Sequence, residues 1–75
     1  MLTSQEKLIY SSLCTCTKRA IGRFKGHFGR PYNYRPRITL CKRIAQQQNM
    51  SVEDAQDTLL SIRAKIKQSN GEAIL

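Results

Sequence analysis

RITLCKRIAQQQNMSVEDAQDTLLSIRAKIKQ, residues 37–68, is the stretch that decides the fold. Ile38, Cys41, Ile44 and Ala45 recur at intervals of three and four, the spacing that puts apolar side chains on one face of a helix, and they predict a helix over 37–48. Gln46, Gln47, Gln48 and Asn49 close it, ending on a residue that tolerates a left-handed backbone. Ser51-x-x-Asp54 then has the form of a capping box, with Met50 placed to staple against Ala55. Val52, Ala55, Leu59, Ile62 and Ile66 keep the helical spacing and predict a further helix over 52–68. Its first turns are acidic (Glu53, Asp54, Asp57) and its last are basic (Arg63, Lys65, Lys67), the arrangement that a helix dipole favours. Asn70-Gly71 is expected to stop it, leaving a mobile tail from Glu72 to Leu75.

Upstream, Thr3-x-x-Glu6 is another capping box, and Ile9, Leu13, Cys16, Ala20 and Phe24 continue at helical spacing, with Leu8 and Ile21 widening the stripe. One helix is expected over 4–24. Between the two parts lies KGHFGRPYNYRP, residues 25–36, whose two glycines and two prolines exclude a helix or a central strand. Pro31 and Pro36 bias Arg30 and Arg35 toward extended backbone, so this loop is expected to run out rather than curl up. The fold class expected is all-α: one small three-helix domain (4–24, 37–48, 52–68), with a long basic aromatic loop between its first two helices. A chain of 75 residues buries a core expected to supply only roughly 3 to 5 kcal/mol, which makes a homodimer a reasonable supplement.

Charge divides the chain. Residues 1–43 hold ten Lys and Arg against Glu6 alone, a net of +9, whereas residues 44–75 carry −1. Lys18, Arg19, Arg23, Lys25, Arg30, Arg35, Arg37, Lys42 and Arg43 follow one another with no Asp or Glu between them, and Phe24, Phe28, Tyr32 and Tyr34 are threaded among them. Such a run suits a polyanion that also offers faces to stack on. The expected function is therefore non-enzymatic nucleic-acid binding, to DNA or RNA, with the bases on phosphates and Phe28, Tyr32 and Tyr34 able to hold unpaired bases. Two other classes fit the same charge: a small regulatory or adaptor protein docking on an acidic protein partner, and a structural component of a ribonucleoprotein. A solvated basic face with no dedicated ligand is the plainest reading of all.

The join at 48–52 resembles a helix-turn-helix over roughly residues 41–60. Ala45, Asn49, Met50 and Ser51 match in order the small residue, the left-handed residue, the apolar residue and the cap of that motif. Ala55 and Thr58 depart from it, since larger aliphatics are usual at both places. The resemblance implies a major-groove reader, yet Glu53, Asp54 and Asp57 occupy the turns that would meet phosphates, so the hairpin is expected to be scaffold. Gly29-Arg30-Pro31 is similar to the centre of an AT-hook, an extended minor-groove segment, although Phe28 stands where such hooks have another arginine.

Other chemistries find little support. Cys14, Cys16 and Cys41 are an odd number without framework spacing, which points to a reducing, cytoplasmic setting. A zinc site from these three and His27 is unlike structural zinc, because one residue between paired cysteines is too few. No metal or cofactor is expected; Cys16 and Cys41 should be buried and Cys14 partly exposed. His27, the sole histidine, has no nearby carboxylate to orient it and is expected to be an exposed loop residue, so no catalytic pair can be drawn and no enzyme is expected. No apolar run approaches the ~18 residues that a membrane span needs, and the N-terminus lacks a secretory layout.

Overall fold

The computed structural model describes residues 2–68. The stop at Asn70-Gly71 and the tail 72–75 lie outside the described residues, as does the side chain of His27. Within them the chain is all-α, with four helices: α1 (Ser4–Ser12), α2 (Thr15–Ile21), α3 (Ile38–Gln48) and α4 (Val52–Gln68).

The expected first helix, 4–24, is two helices, which corrects the three-helix reading. Its start is as the sequence predicts. The Glu6 N–H donates to Thr3 Oγ1 (3.2 Å) and the Thr3 N–H to Glu6 Oε1 (2.8 Å), a complete capping box. The break falls at Leu13 and Cys14, both extended (ψ 148 and ψ 161). The reason lies in the run Ser11-Ser12-Leu13-Cys14-Thr15-Cys16-Thr17, rich in residues that compete with or crowd the helical backbone. The Ser12 hydroxyl donates to the Ile9 carbonyl (2.7 Å), and Cys14 becomes the N-cap of α2. The kink also changes which side chains face inward. Ile9, Leu13 and Ile21 are buried, Ala20 and Phe24 are half-buried, and Cys16 and Leu8 are exposed, so the expected burial of Cys16 is also corrected.

The second half follows its periodicity except at Ile38, which the spacing puts on the apolar face but which is 58% exposed in the first turn of α3, ahead of the buried Cys41, Ile44 and Ala45. α3 begins one residue later than its spacing predicts, and α4 has the expected limits through 68. Asn49 takes the left-handed backbone (φ 53, ψ 50), and Ser51 Oγ accepts from the Asp54 N–H (3.0 Å). Ala45 and Ala55 are buried at 8% and 0% exposure, where small side chains let α3 and α4 approach closely. Leu59 is buried while Thr58 is half-buried and donates its hydroxyl to the Asp54 carbonyl (2.8 Å), so the aliphatic anchor of α4 sits at 59.

α4 packs against α1, α2 and α3. Leu2, Ile9, Leu13, Ile21, Cys41, Ile44, Ala45, Ala55, Leu59, Ile62 and Ile66 form one buried cluster, with Tyr10, Phe24, Tyr34, Leu40, Met50 and Val52 against it. Glu6 is buried with them, and its carboxylate accepts from Lys65 Nζ (2.5 Å) and the Ser61 hydroxyl (2.9 Å). Burial by itself would push this carboxyl up. The hydrogen bonds from Lys65, the Thr3 N–H and Ser61, with the Lys65 charge, together outweigh it and bring it down to about 2.

Because the folded value is depressed below the ordinary 4.5, this contribution to stability is complete above pH 4.5 and drains as pH falls toward 2. An acid titration of thermal stability is expected to lose on the order of 3 kcal/mol from this group across that window. In Glu6→Gln the same window should flatten, and an unchanged acid profile in that variant would show that other carboxylates govern the loss.

Candidate functional site

The basic run starts on α2, passes through 25–37 and ends on α3. Of its nine bases, Lys18 is half-buried with its ammonium 5.3 Å from the centre of the Tyr10 ring, and the other eight are exposed. Among the described residues the one ion pair is Glu6–Lys65, and none of the nine bases of the run pairs with a carboxylate there.

The loop curls back, contrary to its expected extended course. The Gly26 N–H donates to the Arg30 carbonyl (2.6 Å), the Tyr32 N–H donates to the Phe24 carbonyl (3.0 Å), and Lys25 and Pro31 form an antiparallel bridge. A single 3-10 turn at His27–Gly29 reverses the chain, with Phe28 (φ 58) and Gly29 (φ 74) both left-handed. We call residues 24–32 the clasp. The reversal is made by the left-handed pair Phe28 and Gly29, just ahead of the Arg30 that Pro31 restrains. An extended hook around Gly29-Arg30-Pro31 does not form.

Arg63 of α4 locks the root of the clasp. Its Nη1 donates to the carbonyls of Ile21 (2.8 Å), Arg23 (2.6 Å) and, at longer range, Ala20 (3.4 Å), and its Nη2 donates to the Tyr32 carbonyl (2.6 Å). The first three are carbonyls at or just beyond the end of α2, where a helix leaves such groups without intrahelical partners, although the Ala20 carbonyl also accepts from the Arg23 N–H (3.2 Å). The guanidinium also lies 4.3 Å from the centre of the Phe24 ring, 5.7 Å from Tyr32 and 5.9 Å from Tyr34. A planar fork with a stackable face can serve all of these at once; an ammonium cannot. Sequence reasoning assigned Arg63 only to the helix dipole, and no local pattern announces a side chain whose acceptors lie 31 to 43 residues away.

The aromatic residues consequently part company. Phe24, Tyr32 and Tyr34 are half-buried around Arg63, and burial pushes the Tyr34 hydroxyl above its ordinary range. Arg23 lies over Tyr32 as well (5.6 Å). Phe28, by contrast, is 100% exposed at the tip.

Beside the clasp, a groove of about 510 Å³ runs between α2 and α3, floored in part by Leu13, Leu40 and Ile44 and bordered by Tyr34, Arg37 and Arg43. Cys14 and Cys16 also line it, whereas Cys41 is buried in the core, where desolvation raises its thiol. The Cys14 thiol shares a hydrogen bond with Thr17 Oγ1 (3.1 Å), which, with the Thr17 N–H, holds it below its ordinary range. Among the described residues, no group of three or more His, Cys, Asp or Glu gathers as a metal site would require, and no helix is long and apolar enough to cross a membrane.

No family model, curated protein or solved structure matches this chain.

Proposed function

We propose that this chain is a non-enzymatic nucleic-acid-binding protein whose contact surface is the basic segment from α2 through the clasp to the start of α3. The observation that carries the reading is the exposure of Arg19, Arg23, Lys25, Arg30, Arg35, Arg37, Lys42 and Arg43 with no carboxylate in ion-pair range among the described residues. Unpaired surface bases in this number repel one another unless a polyanion neutralises them, and a phosphate backbone does so with release of its counterions. In this reading the α3–α4 hairpin is support. Glu53, Asp54 and Asp57 are exposed at the start of α4, where a reading helix would meet phosphates.

A salt titration tests this against duplex DNA, single strands and structured RNA. If about four to six phosphates are neutralised, log affinity should fall with log salt at a slope of about −4 to −5, several hundred-fold between 50 and 200 mM. No binding to any of the three at low salt removes the reading. The groove between α2 and α3 favours a second reading. Its apolar floor and the Arg37 and Arg43 rim suit an acidic protein segment with an apolar face, and this reading gains if every nucleic acid fails.

A further inference from the structure

The clasp holds its one outward ring in a costly way. Phe28 is fully exposed and sits in the left-handed region (φ 58, ψ 28), which bulky side chains rarely adopt and glycine enters freely. An exposed aromatic ring retained at such a position points to a use for the ring itself. Its stem is fixed by the Gly26–Arg30 and Phe24–Tyr32 hydrogen bonds and, below them, by Arg63. A ring on a fixed stem has less freedom to lose when it stacks. Lys25 and Arg30 are exposed on the two arms of the clasp, able to meet phosphates on either side of a stacked base.

We propose that Phe28 is a single-ring wedge that stacks on an unpaired base, so that the nucleic acid this surface prefers is one whose stack is already open, at a bulge, a gap or a single strand. The proposal rests on the nucleic-acid reading above and adds the substrate class. Magnitudes decide between open and closed substrates. One base on one ring is worth roughly 5- to 140-fold in affinity, which is about 1 to 3 kcal/mol. Unstacking a step of intact duplex takes back a comparable amount. Tyr32 and Tyr34 are held around Arg63 and add no second ring to tip that balance. On intact duplex the wedge therefore gains nothing, whereas at an open site the gain is kept.

The test measures binding by fluorescence anisotropy to a short DNA duplex, to the same duplex with one bulged adenine, and to the RNA versions of both. Wild-type protein, Phe28→Gly and Phe28→Tyr are compared, with melting temperatures recorded by circular dichroism. Glycine suits the backbone at this position, so Phe28→Gly removes the ring while relieving strain, and its melting temperature should stay within a few degrees of wild type. Wild type and Phe28→Tyr are expected to prefer the bulged duplexes by roughly 5- to 140-fold, and Phe28→Gly to bind bulged and paired duplexes alike with an unchanged salt slope. Preference for the DNA or the RNA bulge then identifies the source of the base. Salt-dependent binding without bulge preference in wild type, or with the preference intact in Phe28→Gly, overturns the wedge and leaves the nucleic-acid reading standing. Absence of binding to all four probes at low salt overturns both.

Discussion

Arg63→Ala is expected to lower stability by about 3 to 5 kcal/mol, as much as the whole core of a chain this short is expected to supply. The guanidinium serves the carbonyls of Ala20, Ile21, Arg23 and Tyr32, and lies on the Phe24 ring. Hydrogen bonds from a charged donor contribute roughly 1.5 to 3 kcal/mol each. They cannot be summed, because two nitrogens share four acceptors and the Arg23 bond is exposed. What decides the size of the loss is the pair of part-buried carbonyls, Ile21 and Tyr32, that lose this donor when the side chain is cut back, whereas Ala20 keeps the Arg23 N–H. Arg63→Lys keeps the charge but not the fork, and should lose about 2 kcal/mol or more. Urea unfolding followed by circular dichroism measures both variants. If Arg63→Ala lay within about 1 kcal/mol of wild type, packing alone would be holding the clasp and the hub assigned to Arg63 would be wrong.

Arg35→Gln, Arg37→Gln and Arg43→Gln combined are expected to weaken nucleic-acid binding by about 500-fold at 0.1 M salt. A slope of about −0.9 per phosphate contact makes each contact worth roughly 8-fold at that concentration, and three contacts multiply. The salt slope should become shallower by about three for the same reason. All three residues are exposed and make no ion pair among the described residues, so the folded state should change by less than about 1 kcal/mol. The companion variant removes Glu53, Asp54 and Asp57 to alanine. If the hairpin is support, this variant binds as well as wild type or better, because repulsive charge has been removed. Loss of sequence-specific binding in it would instead make α4 the reader and move the site to the hairpin. The two sets of substitutions therefore separate the surfaces by their opposite signs.

The hairpin of α3 and α4 was legible because each of its signals is local and all of them agree. Apolar spacing, the left-handed Asn49, the Ser51 cap and the dipole-matched charges each specify the same two helices. The first half was less legible because local signals there conflict. Apolar spacing runs on through Leu13 and Cys16, but the Ser12 hydroxyl bonds back to the Ile9 carbonyl and the chain is extended at Leu13 and Cys14, a local competition that a period count does not register. The loop was misjudged for a related reason. Pro31 restrains its neighbour toward extended backbone, whereas the turn depends on left-handed conformations at both Phe28 and Gly29, the former outside what residue preferences allow for. Glu6 and Arg63 were seen only as a cap and a dipole charge. Their real partners are 55 and 59 residues away for Glu6, and 31 to 43 for Arg63, distances at which a single sequence offers no pairing rule. For the site, the basic run was legible from composition; which of its rings faces outward was not.

Those long reaches have a consequence for how the molecule is made. Ser61 and Lys65 receive the first helix through Glu6, while Arg63 receives the end of the second helix and the clasp. Every one of these ties lands within two turns of a helix that the ribosome synthesises well after the segments it secures. Residues 2–37 therefore leave the exit tunnel with only their local hydrogen bonds within reach, and this strongly cationic segment waits for its ties to α4 until residue 65 has followed it. The polar ties that join the two halves of this protein are completed only by its later half.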